Sequence, residues 1–193
     1  MRLSRLADTA GILRRRERDR VEQTMEAFNR RFPQLFIAVY TGALGEIGQL
    51  RQFGFWLLNR GAFEDVPVEK PNAAGILMLI DAESKAAGIT FGYLLDPFLE
   101  EGDTFNCLSR AHSHWLEGRY ADGIIKAIQQ LETVLRKRCH QARRDQERFE
   151  RRVCPQPKVD DMVQRIRSGH RPPATAPGNP PHEEYPQPEE VEP

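Results

Sequence analysis

The sequence predicts an α/β fold: a three-layer α/β/α sandwich with a small mixed sheet, followed by a long basic C-terminal helix and a disordered tail. Three observations carry this expectation. Two unbroken apolar runs, residues 35–40 and 75–80, have the length and β-former content of strands covered on both faces. Segments with helical apolar spacing alternate with them, which is the order that yields a sheet between layers of helices. The apolar periodicity then thins beyond Leu135, and ten of the 14 prolines lie from Pro155 onward. Such a composition buries too little apolar surface to offset the entropy of ordering. The expected organisation is therefore a domain over residues 1–138, a basic helical extension over 139–154 and a Pro-rich tail over 155–193.

The elements follow in order. After a short lead-in around Asp8 and Thr9, residues 13–31 place Val21, Met25 and Phe28 at i, i+4 and i+7 among charged neighbours, an amphipathic helix with one buried stripe. Pro33 ends it and the first predicted strand begins. The next helix carries Leu50, Phe53, Gly54, Leu57 and Leu58 on a broad apolar face, with Gly61 where a left-handed C-terminal cap is wanted. A polar loop leads to the second strand, and strand–helix–strand implies a parallel pair with a right-handed crossover. Only residues 81–86 separate this strand from a third over 88–93, so the two are expected to form an antiparallel hairpin. Asp103 is placed to cap a helix whose core face reads Phe105, Leu108, His112 and Trp115, closed by Gly118. A last helix begins near Ala121 with Ile124, Ile128, Leu131 and Leu135 as its stripe.

Charge is balanced overall, 28 basic against 28 acidic residues, so the whole chain gives no reason to expect a nucleic acid or an anionic membrane. Locally the balance breaks: residues 136–152 hold eight basic and three acidic side chains, and residues 183–193 hold five glutamates and no cation. Acids interleave the basic stretch and aromatics are few, which argues against nucleic acid as the partner. Cys107, Cys139 and Cys154 form no C-x-x-C pair and have no histidine at zinc spacing, so a reducing compartment is expected. No run approaches the roughly 20 apolar residues of a membrane span, nor does residues 1–10 offer a signal-peptide core, and the expected location is cytoplasmic.

Signatures of catalysis are sparse. Gly42, Gly45 and Gly48 recur between a strand and a helix, where backbone N–H groups hold phosphates, but the G-x-x-G-x-x-G spacing is neither the dinucleotide nor the nucleotide-loop pattern. His112 and His114 stand two apart, pointing to nearly opposite sides of a helix, so they do not share a metal. No nucleophile elbow or cysteine-dependent phosphatase loop is present. What remains is carboxylates at loops: Asp81 after the second strand, and Asp96, Glu100, Glu101 and Asp103 after the third. Open α/β sheets bind ligands outside the carboxyl ends of parallel strands, which makes Thr41 and Asp81 the default neighbourhood for a site. Most acidic loop residues are nonetheless solvated or cap helices, and the antiparallel third strand puts the later cluster at the other end of the sheet.

The succession of motifs resembles the TPM domain family, named for a thylakoid lumen protein, a photosystem II repair protein and a nematode receptor auxiliary protein. The likeness rests on Ala7-Asp8-Thr9-Ala10-Gly11-Ile12-Leu13, Ile37-Ala38-Val39-Tyr40, Gly75-Ile76-Leu77-Met78-Leu79-Ile80, Gly92-Tyr93 and Glu117-Gly118-Arg119-Tyr120-Ala121-Asp122-Gly123-Ile124, and spans about residues 6–137. It implies an α/β/α sandwich with a mixed sheet. For function it implies a range: acid phosphatase activity, photosystem repair, receptor modulation and divalent-cation binding. On that resemblance a Ca²⁺ or Mg²⁺ site would draw on Asp8, Asn72 and Asp81. Two departures stand out. Where the family usually has Asp-Asn-Gly before the apolar strand, this chain has Pro71-Asn72-Ala73-Ala74-Gly75, and Gly92-Tyr93-Leu94 replaces Gly-Tyr-Gly, with Asp96 where a glutamate is common.

The expected function is therefore a non-catalytic protein-interaction module, with a divalent-cation-dependent acid phosphatase-type hydrolase as the alternative. The partner-binding candidates are Val159, Met162, Val163 and Ile166, spaced i, i+3, i+4 and i+7, which is the spacing of a short docking helix. A protein partner engaged through the C-terminal extension is the corresponding expectation.

Overall fold

In the computed structural model the described residues are 2–45, 49–67, 70–146 and 148. The chain divides into two units, Met1–Cys154 and Pro155–Pro193. The expected disordered tail, the stripe from Val159 to Ile166, Cys154 and the last turn of the glycine loop lie outside the described residues.

The strands are β1 (Arg2–Leu3), β2 (Leu6–Asp8), β3 (Phe36–Gly42), β4 (Ala62–Phe63), β5 (Gly75–Asp81) and β6 (Ala87–Phe91). The helices are α1 (Arg15–Arg31), α2 (Leu50–Arg60), α3 (Glu101–Leu116) and α4 (Tyr120–Arg144), with single 3-10 turns at Asn72–Ala74 and Tyr93–Leu95. The main sheet has the order β2-β3-β5-β6: β2, β3 and β5 run parallel and β6 returns antiparallel. β1 and β4 form a separate parallel pair. The small mixed sheet and the parallel crossover through α2 are as the sequence predicts. The parallel strand β2 is an addition, since three residues are too few to show a period.

Period two along the strands divides the core into two halves. Ile37, Val39, Ile76, Met78, Ile80 and Ile89 face the layer of α1, α3 and α4, where Val21, Met25, Phe28, Trp115, Ile124, Ile128, Leu131 and Leu135 pack against them. Phe36, Ala38, Leu77 and Leu79 face α2, meeting Leu57 and Leu58. Each fully buried Leu, Ile or Phe contributes about 1.5–3 kcal/mol relative to exposure, so this two-sided burial is what holds the three layers together.

Three sequence expectations are corrected here. Gly61 is extended, with φ −72°, rather than left-handed. Its place is set by space, because a Cβ there would lie 2.6 Å from the Leu57 carbonyl oxygen. Asp103 caps α3 from inside its first turn, accepting the Glu100 N–H at 3.2 Å. The core face of α3 is Thr104, Cys107, Ala111 and Trp115, while Phe105 and His112 are exposed. Trp115 is buried as expected and Leu108 packs half-buried against the core, but the rest of the buried stripe is the small side chains Thr104, Cys107 and Ala111. Gly118 does close α3 with φ +76°, a conformation that costs glycine little.

Candidate functional site

The carboxyl ends of β2, β3 and β5 bring Asp8, Thr41 and Asp81 to one end of the sheet. In the register Asp8 stands opposite Thr41 and Gly42 opposite Asp81. Asp8 therefore shares the face of Thr41 and Ile80, toward α1 and α4. Asp81, one residue further on, belongs to the α2 face with Leu77 and Leu79. The two carboxylates sit on opposite sides of the sheet.

Each carboxylate is occupied by its own loop. Gly11, with φ +64°, folds the chain back after β2, and Asp8 accepts the N–H groups of Ile12 at 3.1 Å and Leu13 at 3.0 Å together with the Thr41 hydroxyl. Thr9 donates its hydroxyl to the Thr41 carbonyl at 2.6 Å, tying the same turn to β3. Asp81 is 2% exposed. It accepts the N–H groups of Leu44 at 2.9 Å, Glu83 at 3.2 Å and Ser84 at 3.3 Å, and the Ser84 hydroxyl. Burial by itself pushes this carboxyl up, but the Ser84 hydroxyl and the three backbone donors outweigh burial and hold it below its ordinary range. The hairpin around it is further fixed by Tyr120, whose hydroxyl donates to the Ala82 carbonyl at 3.2 Å, and by Lys85, which reaches the Leu116 carbonyl at 3.1 Å.

Asn72 lies elsewhere. It opens the 3-10 turn before β5, donating its amide to the Gly61 carbonyl at 3.1 Å. The seven residues of β5 separate it from the Asp81 end by about 20 Å at the usual strand rise. Asp8, Asn72 and Asp81 thus do not meet at one point, and among the described residues no group of three or more His, Cys, Asp or Glu side chains converges. A Ca²⁺ ion wants six to eight oxygens and Mg²⁺ an octahedron. Oxygens already accepting several N–H and O–H donors on opposite faces of a sheet do not fit one such ion.

Of the later acids, Glu101 pairs with Arg51 of α2, and two tie the start of α3 to α4. Glu100 and Asp103 both pair with Arg138, at 3.3 Å each. His112 and His114 stay apart in role, with His112 exposed and set edge-on against Trp115 at 6.4 Å. Cys107 is buried, and burial, reinforced by the Asp103 carboxylate and eased by Arg110, pushes its thiol up to about 11. Burial also raises the Cys139 thiol, against the pull of Arg143.

The amino end of the sheet is different in kind. A groove of about 570 Å³ opens there, walled by Phe32, Leu35, Pro71, Leu94, Phe98 and Leu135, with Cys139 on its α4 side. Leu94 is 47% exposed. A separate depression lies along α4, lined by Arg138, His140, Arg144, Asp145 and Arg148. Sequence reasoning missed this groove, because its residues come from four segments that no spacing connects. The one available signal was Leu94, an apolar residue where the family's motif has glycine.

Fold and sequence together define the class: an α/β/α domain whose parallel strands end in self-capped acidic turns. The TPM domain family model matches residues 6–134, and the chain belongs to that family. Two solution NMR structures share the fold. One is the N-terminal domain of a protein from P. gingivalis, at 19% identity and TM-score 0.53, covering 68% of this chain and 81% of that one. The other is the N-terminal domain of the cg2496 protein from Corynebacterium glutamicum, at 11% identity and TM-score 0.51, covering 67% and 78%. At these identities the likeness is one of fold. No curated protein matches the chain. Among the described residues no helix is long and apolar enough to cross a membrane.

Proposed function

We propose that this chain is a non-catalytic protein-interaction module that holds a partner in the amino-end groove and through its C-terminal extension. The observation that supports this is the division of labour between the two sheet ends. The carboxylates at one end are consumed in capping turns, while the other end presents apolar side chains beside a cationic helix face. The partner fits as a segment with an apolar face and acidic flanks, since Arg144 and Arg148 line a depression on the same helix that carries the groove residues Leu135 and Cys139. Val159, Met162, Val163 and Ile166 are the proposed contacts of the extension. Two variants of the full chain test the reading in a pull-down. Leu94→Glu and a fourfold serine replacement of the 159–166 stripe should each lose the partner that the unaltered chain retains. Retention by both variants would contradict it.

The alternative, an acid phosphatase-type hydrolase using Ca²⁺ or Mg²⁺, rests on the family and on Asp8 and Asp81 sharing a sheet end. Turnover of an aryl phosphate that disappears in Asp8→Asn and Asp81→Asn would favour it, provided both variants stay folded.

A further inference from the structure

The sheet has two outer edges, and they are treated differently. β2 is only three residues long, and its Leu6 carbonyl is taken by the Arg18 guanidinium at 2.7 Å and the Ser4 hydroxyl at 2.8 Å. Blocking an edge in this way is a common defence against strand addition. β6 at the opposite edge has no such block among the described residues.

Its free groups can be assigned from the ladder. Gly92 N–H donates to Gly75 and Asp81 N–H to the Ala86 carbonyl, both at 2.9 Å. Antiparallel pairing alternates, so Thr90 and Gly88 turn their backbone groups inward to Leu77 and Leu79. Ala87, Ile89 and Phe91 then turn theirs outward, and no described residue bonds to them.

A groove of about 740 Å³ runs along this edge. Phe55 of α2, 62% exposed, walls it from one layer, and Phe105 of α3, 70% exposed, from the other. Arg51 and Glu101 form an exposed ion pair between the same two helices at 2.5 Å. Such a pair holds little against a competitor, since exposed pairs contribute about 0–1 kcal/mol. With Asp96, the groove carries two carboxylates against one guanidinium.

We propose that the outward edge of β6 accepts an extended peptide segment of a partner protein, which adds as a fifth strand of the main sheet. Its alternate side chains pack on Phe55 and Phe105, and a basic residue meets Asp96 and Glu101. A row of outward N–H and C=O groups between two aromatic walls recognises extended backbone, and the charge imbalance selects a cation. This occupant is distinct in chemistry from the acidic, apolar-faced segment of the amino-end groove. A second copy of the chain is disfavoured by size, because three outward-facing residues fall short of the roughly 800 Å² per partner of a stable dimer.

A displayed library of random peptides, selected on the full chain, tests this. Enriched peptides are expected to alternate apolar residues and to carry a lysine or arginine. Resynthesised, they should bind at least about thirtyfold more weakly to Phe55→Ser and Phe105→Ser, a loss of hot-spot size. Both substitutions are at exposed positions, so folding is preserved. Methylating alternate peptide amides should abolish binding, a readout that needs no protein variant. Ala87→Pro removes one outward N–H at the first residue of the strand and should also weaken binding. The proposal is overturned by no enrichment, by enriched peptides that tolerate amide methylation, or by binding that Leu94→Glu removes and the two Phe variants do not. Self-association that Phe105→Ser abolishes would assign the edge to a second copy instead and equally overturn it.

Discussion

The two ends of the central sheet are built from the same strands yet have opposite characters. At the carboxyl end, Asp8 and Asp81 spend their oxygens on the turns that follow β2 and β5. At the amino end, Phe32, Leu35, Leu94 and Phe98 meet across a groove that nothing described fills. In an open α/β sheet the carboxyl end is the usual ligand side. Here the acids at that position accept hydrogen bonds from their own turns, and an open apolar groove lies at the other end.

The comparison breaks most readily at Asp81. Asp81→Ala leaves the buried Leu44 N–H and the part-buried N–H groups of Glu83 and Ser84 and the Ser84 hydroxyl without their acceptor. A loss of about 3 kcal/mol is expected, measurable as a lower denaturant midpoint. The sign of its pH dependence follows from the lowered carboxyl. The folded chain releases this proton more readily than the unfolded one. Asp81 therefore stabilises fully above the ordinary carboxylate range and loses that contribution as pH falls through its folded value. Asp81→Asn should flatten that part of the acid limb in stability measured against pH.

Asp8→Ala comes next. Its carboxylate is only half-buried and anchors the Ile12 and Leu13 N–H groups and the Thr41 hydroxyl, so about 1–2 kcal/mol is expected by the same titration. By contrast Leu94→Glu, at the amino end, should change stability by less than about 0.5 kcal/mol while removing the partner. The smallest effect is chemical. At mildly alkaline pH a thiol reagent should label Cys139 at the groove well before Cys107, whose thiol is pushed up to about 11 and buried. A bound partner should slow the Cys139 reaction further.

Much of the fold was legible because burial leaves a period. Val21, Met25 and Phe28, and Ile124, Ile128, Leu131 and Leu135, are all buried as their spacing predicts. The runs before Tyr40 and Ile80 became the paired central strands. What failed was local size. Phe105 reads as core by hydrophobicity, but Cys107 and Ala111 take the contact with α4, and Phe105 becomes a wall of the edge groove. The candidate site was half legible. The sequence placed Thr41 and Asp81 at the carboxyl end of the parallel strands, while Asp8 entered only through the family resemblance, and neither showed that Asp8 and Asp81 stand on opposite faces of the sheet. Asn72 was assigned by motif alone, and a motif does not say which end of a strand it serves. The amino-end groove left no pattern because its walls meet only after folding.

Backbone amide spectra recorded while Ca²⁺ or Mg²⁺ is titrated into the protein test the central claim most directly. If Asp8 and Asp81 are caps, the N–H signals of Ile12, Leu13, Leu44, Glu83 and Ser84 stay where they are through millimolar metal. Saturable shifts of those five signals would mean that a cation has taken their acceptors, and the carboxyl end would then be the working site.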